Sequence, residues 1–148
     1  MSATRNTWAK HFQSVWAERA ADPAYPLWCR VAWLAFARHK ADGHANFQRG
    51  QLGEIFGGFG KDGFKPLDLN NLQRAIRDAK KAGLLDGSSC AECLVVPAHA
   101  IQGGWGGSPD SPCPVHVRKV AQRRQRATNV GQPVTHVSLN TPSAWVNS

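Results

Sequence analysis

Two short cysteine and histidine motifs carry the residues of this sequence that are best suited to chemistry. Cys90 and Cys93 form a CxxC pair, and Cys113 and His116 form a CxxH pair after 19 intervening residues. Two residues between ligands allow the chain to turn so that both side chains reach one ion, and two such pairs are typical of a tetrahedral structural zinc site. We therefore predict bound Zn²⁺ with a structural role, because four protein ligands leave no open position for catalysis.

A fifth candidate ligand complicates this assignment. His99 lies six residues after Cys93. If the intervening residues are extended at ~3.3 Å each, the two side chains are too far apart to share an ion, whereas a turn at Pro97 would bring them together. We prefer the two motif pairs as the four ligands and retain His99 as an alternative ligand. The alternative interpretation is that Cys93 is a buried strand residue, Cys90 a thiol on a turn, and CPVH an incidental loop.

The strongest helical pattern of the sequence lies in residues 68–82. Asp68 suits an N-cap and Gly83 suits the position just after a helix. One face is apolar, with Leu69, Leu72, Ile76 and Ala79. The opposite face carries five side chains that can contact DNA: Asn70, Asn71, Arg74, Arg77 and Lys81. Arginine pairs with guanine, asparagine with adenine and lysine with phosphate, so we predict a recognition helix for the major groove. A solvated polar face is the alternative.

The charge distribution favours a polyanionic partner. The net charge is +8, with 13 basic and all 10 acidic residues in 1–110, and five basic residues but no acid in 111–148. The basic residues of this last segment are Arg118, Lys119, Arg123, Arg124 and Arg126. Such an arm gains affinity by displacing counterions from phosphates, or by entering a minor groove. A disordered tail without a partner is the competing interpretation.

Several further elements are expected to position these residues. Trp8, Phe12, Val15 and Trp16 recur at helical spacing. They predict an amphipathic helix in residues 1–22 that packs on its own core or pairs with a second copy in a homodimer. A second helix is expected from Leu27 to about residue 40, followed by an extended piece at HANF and a short helix within QRGQLGEIFGG. The segment 84–96 predicts two short strands about a turn.

The order of these elements predicts the fold. Helix, strand, helix, turn, helix and hairpin is the order of a winged helix-turn-helix, so we expect a mainly α fold with a small β-hairpin as the wing. The expected organisation is an N-terminal helix (1–22), the winged helix-turn-helix (23–97), a Gly/Pro-rich zinc-binding loop (98–117), and the basic arm with a polar tail (118–148).

The stretches LQRAIRDAKKAGLL, CLVVPAHAIQGG and PCPVH give the sequence a family likeness. Over roughly residues 27–117 it resembles small helix-turn-helix DNA-binding proteins encoded by phages of actinobacteria. The resemblance implies a winged-helix fold and a DNA-binding role, linked to regulation or replication in a phage or its host. The first 20 residues and the tail after Ala127 have no counterpart in it.

Enzymatic and membrane functions find little support in the sequence. GGFGKDG is rich in glycine but lacks the GK[ST] ending of a phosphate-binding loop, and paired carboxylates and nucleophile motifs are missing. A nuclease using His99 or His116 with a metal is a minor alternative. Without an apolar stretch of ~20 residues or an apolar leader, we expect a cytoplasmic, nucleoid-associated protein.

Three hypotheses of function therefore follow from the sequence. The first is sequence-specific binding of double-stranded DNA by a transcription regulator or a replication protein. The second is a protein-interaction module that engages the host transcription or replication machinery. The third is a non-specific nucleic-acid binder that acts through charge alone. Sequence preference at moderate salt separates the first from the third, because a binder that relies on charge shows none.

Overall fold

The structure, a computed structural model, describes residues 10–101 and 106–130. This part of the chain is mainly helical, with two small antiparallel sheets of two strands each. In chain order the elements are α1 (Gln13–Ala21), α2 (Leu27–Arg38), β1 (His44–Asn46), α3 (Gln51–Ile55), β2 (Gly58–Gly60), β3 (Gly63–Lys65), α4 (Leu69–Lys81), β4 (Cys93–Val95) and α5 (Pro114–Val130).

Helix α1 packs on α2 through aromatic rings. The ring of Trp16 lies 5.4 Å from Phe36 and 6.4 Å from Trp33, measured between centroids. Phe12 is 81% exposed and precedes the helix, so the predicted aromatic stripe reaches the core through Trp16 and not through Phe12. The observed helix is also shorter than the predicted one, and Trp8 lies outside the described residues.

Helix α4 confirms the predicted helix and both of its caps. The Asp68 carboxylate accepts hydrogen bonds from the backbone N–H groups of Asn70 (3.1 Å) and Asn71 (3.3 Å), as an N-cap residue does. At the other end Gly83 has φ +74°, and its N–H donates to the carbonyl of Lys80 at 3.0 Å. The next N–H, of Leu84, donates to the carbonyl of Ala79, which completes a Schellman motif.

The core of the molecule lies between α2, α4 and one face of the β1–β4 sheet. Leu72, Ile76 and Ala79 of α4 are buried there, as the apolar stripe predicts. Leu69 departs from the prediction, because it is 55% exposed at the start of the helix. Ala45 and Leu94 oppose each other in the sheet and both belong to this core.

The predicted hairpin at 84–96 is wrong in its strand pairing. The segment supplies the single strand β4, and its partner is β1, with His44 opposite Val95 and Asn46 opposite Cys93. Residues 86–92 form a compact turn in which Cys90 and Cys93 make an isolated bridge. A regular second strand does not form in 84–92, because the buried Ser89 hydroxyl accepts from the N–H of Val95 at 2.9 Å, in place of a backbone carbonyl.

A real hairpin occurs where the sequence predicted only a turn. Strands β2 and β3 pair around Lys61 and Asp62, with Phe59 opposite Phe64. The turn needs Gly63, whose φ of +101° disfavours side chains. Both strands are exposed, so hydrophobic periodicity, which reports burial, could not reveal them.

The basic arm begins as a helix of 17 residues, α5, which starts at Pro114 inside the segment expected to be a loop. Val115 is its one buried residue among those that the structure describes. Near the start of α5 the guanidinium of Arg118 pairs with the carboxylate of Glu92, in the turn before β4. The helix is therefore attached to the rest of the molecule near its first turns, and most of its length is exposed.

Candidate metal centre

Four side chains that can ligate a metal meet where α5 joins the sheet. His44 comes from β1, Cys93 from β4, Cys113 from the residue before α5, and His116 from the first turn of α5. One ligand atom from each of the four lies within 4.8 Å of the other three. The two cysteines are buried and the two histidines half-buried, so the cluster is partly shielded from water. We call these four residues the metal cluster.

The register of the β1–β4 sheet explains why His44 and Cys93 are neighbours. Successive side chains of a strand alternate between faces, so Ala45 and Leu94 point to the core while His44 and Cys93 share the opposite face. The two residues occupy diagonal positions across the pair, a separation that long side chains can span. The Nδ1 atom of His44 accordingly lies 3.3 Å from the Sγ atom of Cys93.

The distances within the metal cluster suit a tetrahedral ion. The Sγ atoms of Cys93 and Cys113 are 3.7 Å apart. With Zn–S bonds of about 2.3 Å and Zn–N bonds of about 2.0 Å, tetrahedral angles require about 3.8 Å between two sulfurs and about 3.5 Å between sulfur and nitrogen. The observed separations of 3.7 and 3.3 Å lie close to both values. These two separations therefore fit Zn²⁺, and the remaining ones are no longer than 4.8 Å.

The hydrogen bonds of His116 favour a ligand role. Its Nε2 atom lies 3.0 Å from the backbone carbonyl oxygen of Ser88, to which an Nε2–H group can donate. Its other ring nitrogen, Nδ1, is buried and has no hydrogen-bond partner among the described residues. A ligating histidine commonly donates its second ring N–H to a carbonyl, which fixes the tautomer. The unpartnered Nδ1 atom is thus the nitrogen left to bind an ion.

A neighbouring amide contacts the second cysteine. The Sγ atom of Cys113 lies 3.3 Å from Oδ1 of Asn46, which shares the sheet face of His44. With its amide turned over, Asn46 would donate an N–H group to a thiolate at the same position. Such contacts orient ligands and stabilise the bound form of a site.

The electrostatics of the metal cluster depend mainly on burial. Burial lowers the pKa of His44; the carboxylate of Asp42 acts in the opposite direction, and His116 adds to the lowering. Burial also raises the pKa of Cys93 strongly, and the adjacent Cys113 thiol raises it further. Neutral imidazole is the form that binds metals. A cation between the sulfurs would supply the positive charge that a buried thiolate requires.

The structure brings together three of the five predicted ligands and adds one that the sequence did not reveal. Cys93, Cys113 and His116 belong to the metal cluster, whereas His44 takes the place expected for Cys90. Cys90 lies beside the metal cluster, half-buried against it, because the isolated bridge with Cys93 turns the chain there. His99 is exposed in the 3-10 turn Ala98–Ala100 and is not part of the group.

His44 carries a weak signal in the sequence. It stands 49 residues before Cys93 and belongs to no CxxC-like pair. The alternation in HAN, with Ala45 buried between two half-buried polar residues, is that of a short strand with a polar outer face. Only the pairing of β1 with β4 tells which residues share that face, and the pairing is long-range.

Of the ten side chains predicted to contact DNA, nine are exposed in the structure and one is half-buried. Five lie on α4 and are exposed: Asn70, Asn71, Arg74, Arg77 and Lys81. Five lie on α5, where Lys119 is half-buried and the others exposed: Arg118, Lys119, Arg123, Arg124 and Arg126. The α5 residues are thus presented by a helix and not by an extended arm.

The comparisons with known proteins leave this arrangement to be interpreted by its chemistry. No protein-family model, curated protein or solved structure matches the chain. Among the described residues, no helix has the length and apolar character that crossing a membrane would require.

Proposed function

We propose that this protein binds double-stranded DNA in a sequence-specific manner, with α4 in the major groove, in a regulatory or replication-linked role. The observation that carries the proposal is the outer stripe of α4. Asn70, Arg74, Arg77 and Lys81 follow one another at spacings of three or four residues and are all exposed. The buried stripe opposite fixes the helix on the core, so these side chains project from a rigid support.

The order and pairing of the elements support the winged helix-turn-helix predicted for residues 23–97. Strand β1 lies between α2 and α3, and β4 returns after α4 to pair with it. The backbone N–H of Asp86 donates to the carbonyl of Val95 at 2.8 Å, so a further stretch of chain lies along β4 where a wing would begin. The connection between α3 and α4 departs from the usual short turn, because it contains the β2–β3 hairpin.

The metal cluster would bind Zn²⁺ as a structural ion. Two thiolates and two imidazoles are a common ligand set for structural zinc, and the measured separations fit its geometry. Two ligands belong to the sheet and two to the start of α5, so the ion would fix this helix on the domain. Because four protein ligands leave no position for a substrate, the role that we propose for the site is not enzymatic.

Selection of preferred duplexes from a random pool tests DNA reading by α4. The purified full chain is incubated with the pool at about 150 mM salt, where purely electrostatic binding is weakened. A recovered motif that disappears with Asn70→Ala and Arg74→Ala together supports the proposal. A suitable control is Lys61→Ala in the β2–β3 hairpin, which removes a cation that is not part of the α4 stripe and should leave the motif intact. Binding without any motif refutes sequence reading.

Metal analysis of the purified protein tests the zinc site. We expect one equivalent of zinc per chain and a lower melting temperature in chelator, because binding to the folded state alone stabilises it. Less than one equivalent of zinc, together with a melting temperature that chelator leaves unchanged, would remove zinc from the proposal. DNA reading by α4 would not be affected, because the selection experiment tests it separately.

A protein-interaction module is a second candidate function, favoured by the β2–β3 hairpin. Phe59 is 87% exposed, and its ring lies 5.4 Å from that of Phe64 at the molecular surface. Exposed aromatic pairs are typical of interaction sites. If the selection returns no motif, and Phe59→Ser abolishes binding of the purified chain to purified host RNA polymerase, this candidate replaces the first.

A further inference from the structure

We infer that one backbone strand of the duplex lies in a cleft between α4 and α5, held by cations from both helices. This inference rests on the proposed function and names a contact surface for it. The cleft, which we call the α4–α5 cleft, has a volume of about 1790 Å³ and runs from the end of β1 past α3 to both helices.

The charge of the α4–α5 cleft suits a polyanion. Six cationic and two acidic side chains line it among the described residues. The pair between Arg118 and Glu92 neutralises one charge of each sign. Five cations then face the single carboxylate of Glu54: Arg49, Arg77, Lys80, Lys119 and Arg126. They come from three separate parts of the fold, so the charge is not simply that of one solvated helix.

Helix α4 places the α4–α5 cleft beside its outer stripe. Arg77 belongs to both surfaces, since it follows Arg74 on the stripe and also lines the cleft. Gln73 and Lys80 line the cleft on the same flank of the helix. A helix in the major groove has a sugar-phosphate backbone along each flank, so the strand on this flank would enter the cleft.

Helix α5 presents a different set of residues to each side. Lys119 and Arg126 are seven residues apart, two turns of the helix, and both line the α4–α5 cleft. Arg123 and Arg124 fall between them in sequence but do not line it. Arg124 instead borders a separate shallow apolar groove with Val117 and Val120. The predicted basic arm is therefore divided into cations that face the cleft and cations that face away.

This division supplies a matched experiment on the full chain. Lys119→Gln with Arg126→Gln removes two charges from the α4–α5 cleft. Arg123→Gln with Arg124→Gln removes two charges from the same helix outside it. Both double variants have a net charge of +6, two less than the +8 of the parent. The probe is a fluorescent 30-base-pair duplex of mixed sequence, with its affinity measured by anisotropy from 50 to 200 mM salt.

The expected result is a smaller salt dependence for the cleft variant alone. Each phosphate contact contributes about 0.9 to the slope of log affinity against log salt, so losing two reduces the slope by about 1.8. Over a fourfold change in salt, the loss of affinity then becomes about 12-fold smaller than in the parent. The variant at Arg123 and Arg124 should keep the parental slope to within about 0.5. A change of this size allows for the weak long-range attraction between these two charges and the DNA.

Three other outcomes would overturn the inference, and they differ in what they leave standing. Equal slope changes in both variants would mean that α5 contributes only net charge, while sequence reading by α4 survives if selection still yields a motif. In the second outcome, binding of a polyglutamate peptide depends on Lys119 and Arg126, whereas binding of the duplex does not. The α4–α5 cleft would then be a site for an acidic protein. Failure of the parent protein to bind any duplex would refute the proposed function as well.

Discussion

Replacing His44 distinguishes the metal cluster of the structure from the ligand set that the sequence motifs suggest. We predict that His44→Gln weakens zinc binding, because the Nδ1 atom of His44 lies 3.3 Å from the Sγ atom of Cys93 within the metal cluster. Apparent binding free energies of structural zinc are about 10–16 kcal/mol. If four ligands share this equally, one ligand accounts for about 3 kcal/mol, or about a 100-fold loss of affinity.

The same loss can be read as a change in melting temperature. With free zinc buffered at about 100 times the dissociation constant of the parent, binding stabilises the parent by about 2.7 kcal/mol and the variant by about 0.4 kcal/mol. For a chain of this size, each kcal/mol shifts the melting temperature by about 2–4 °C. The variant should therefore melt about 5–9 °C below the parent in buffered zinc, and this difference should shrink when both are melted in chelator.

Cys90→Ser is the matched control for His44→Gln. Cys90 is half-buried beside the metal cluster but is not one of its four members. We expect this variant to retain one equivalent of zinc by mass spectrometry of the metal and to melt within about 2 °C of the parent, as small changes outside the core do. Retention of zinc by His44→Gln together with its loss from Cys90→Ser would refute the structural assignment and restore the CxxC ligands.

Three further predictions concern the fold and its titration. Asp68→Ala removes the N-cap of α4 and should lower the free energy of unfolding by about 1 kcal/mol in urea. Leu94→Ala, in the fully buried centre of β4, should lower it by about 2–5 kcal/mol. Hydrogen bonds from Ser88 lower the pKa of Asp86, so the associated stability is present above the unfolded pKa and lost as pH falls through the folded one. Ser88→Ala should raise the pKa of Asp86 in an NMR titration, and an unchanged pKa would contradict this cause.

The elements that the sequence predicted well are those governed by neighbouring residues. Helix α4 was predictable because Asp68 and Gly83 mark its ends and its apolar residues recur every three or four positions. The polarity of its outer face follows from the same periodicity, so the α4 residues predicted to contact DNA are exposed. Cys113 and His116 were predictable as partners for a similar reason, since only two residues separate them and one turn of chain brings both side chains together.

The features that sequence reasoning missed depend on contacts between distant residues. Strand β4 pairs with β1 and not with its own neighbour, and that pairing decides that His44 shares a face with Cys93. Strands of three residues are too short for their hydrophobic pattern to predict which strand they pair with. The β2–β3 hairpin was missed because Phe59 and Phe64 contact each other across an exposed ribbon, so no burial pattern marks either strand.

The metal cluster and the α4–α5 cleft are linked through the start of α5. Consecutive residues of a helix differ by about 100° in direction, so a small rotation of α5 would exchange the side chains facing the cleft for those facing away. Beyond Val115 the described part of α5 buries no residue, so the Arg118–Glu92 pair and the contact of His116 with the Ser88 carbonyl resist such a rotation from the surface. An ion bound by Cys113 and His116 would restrain α5 at its first turn and at the residue before it, on a sheet that is itself fixed to the core. In the function that we propose, a bound ion would therefore serve to orient Lys119 and Arg126 toward α4.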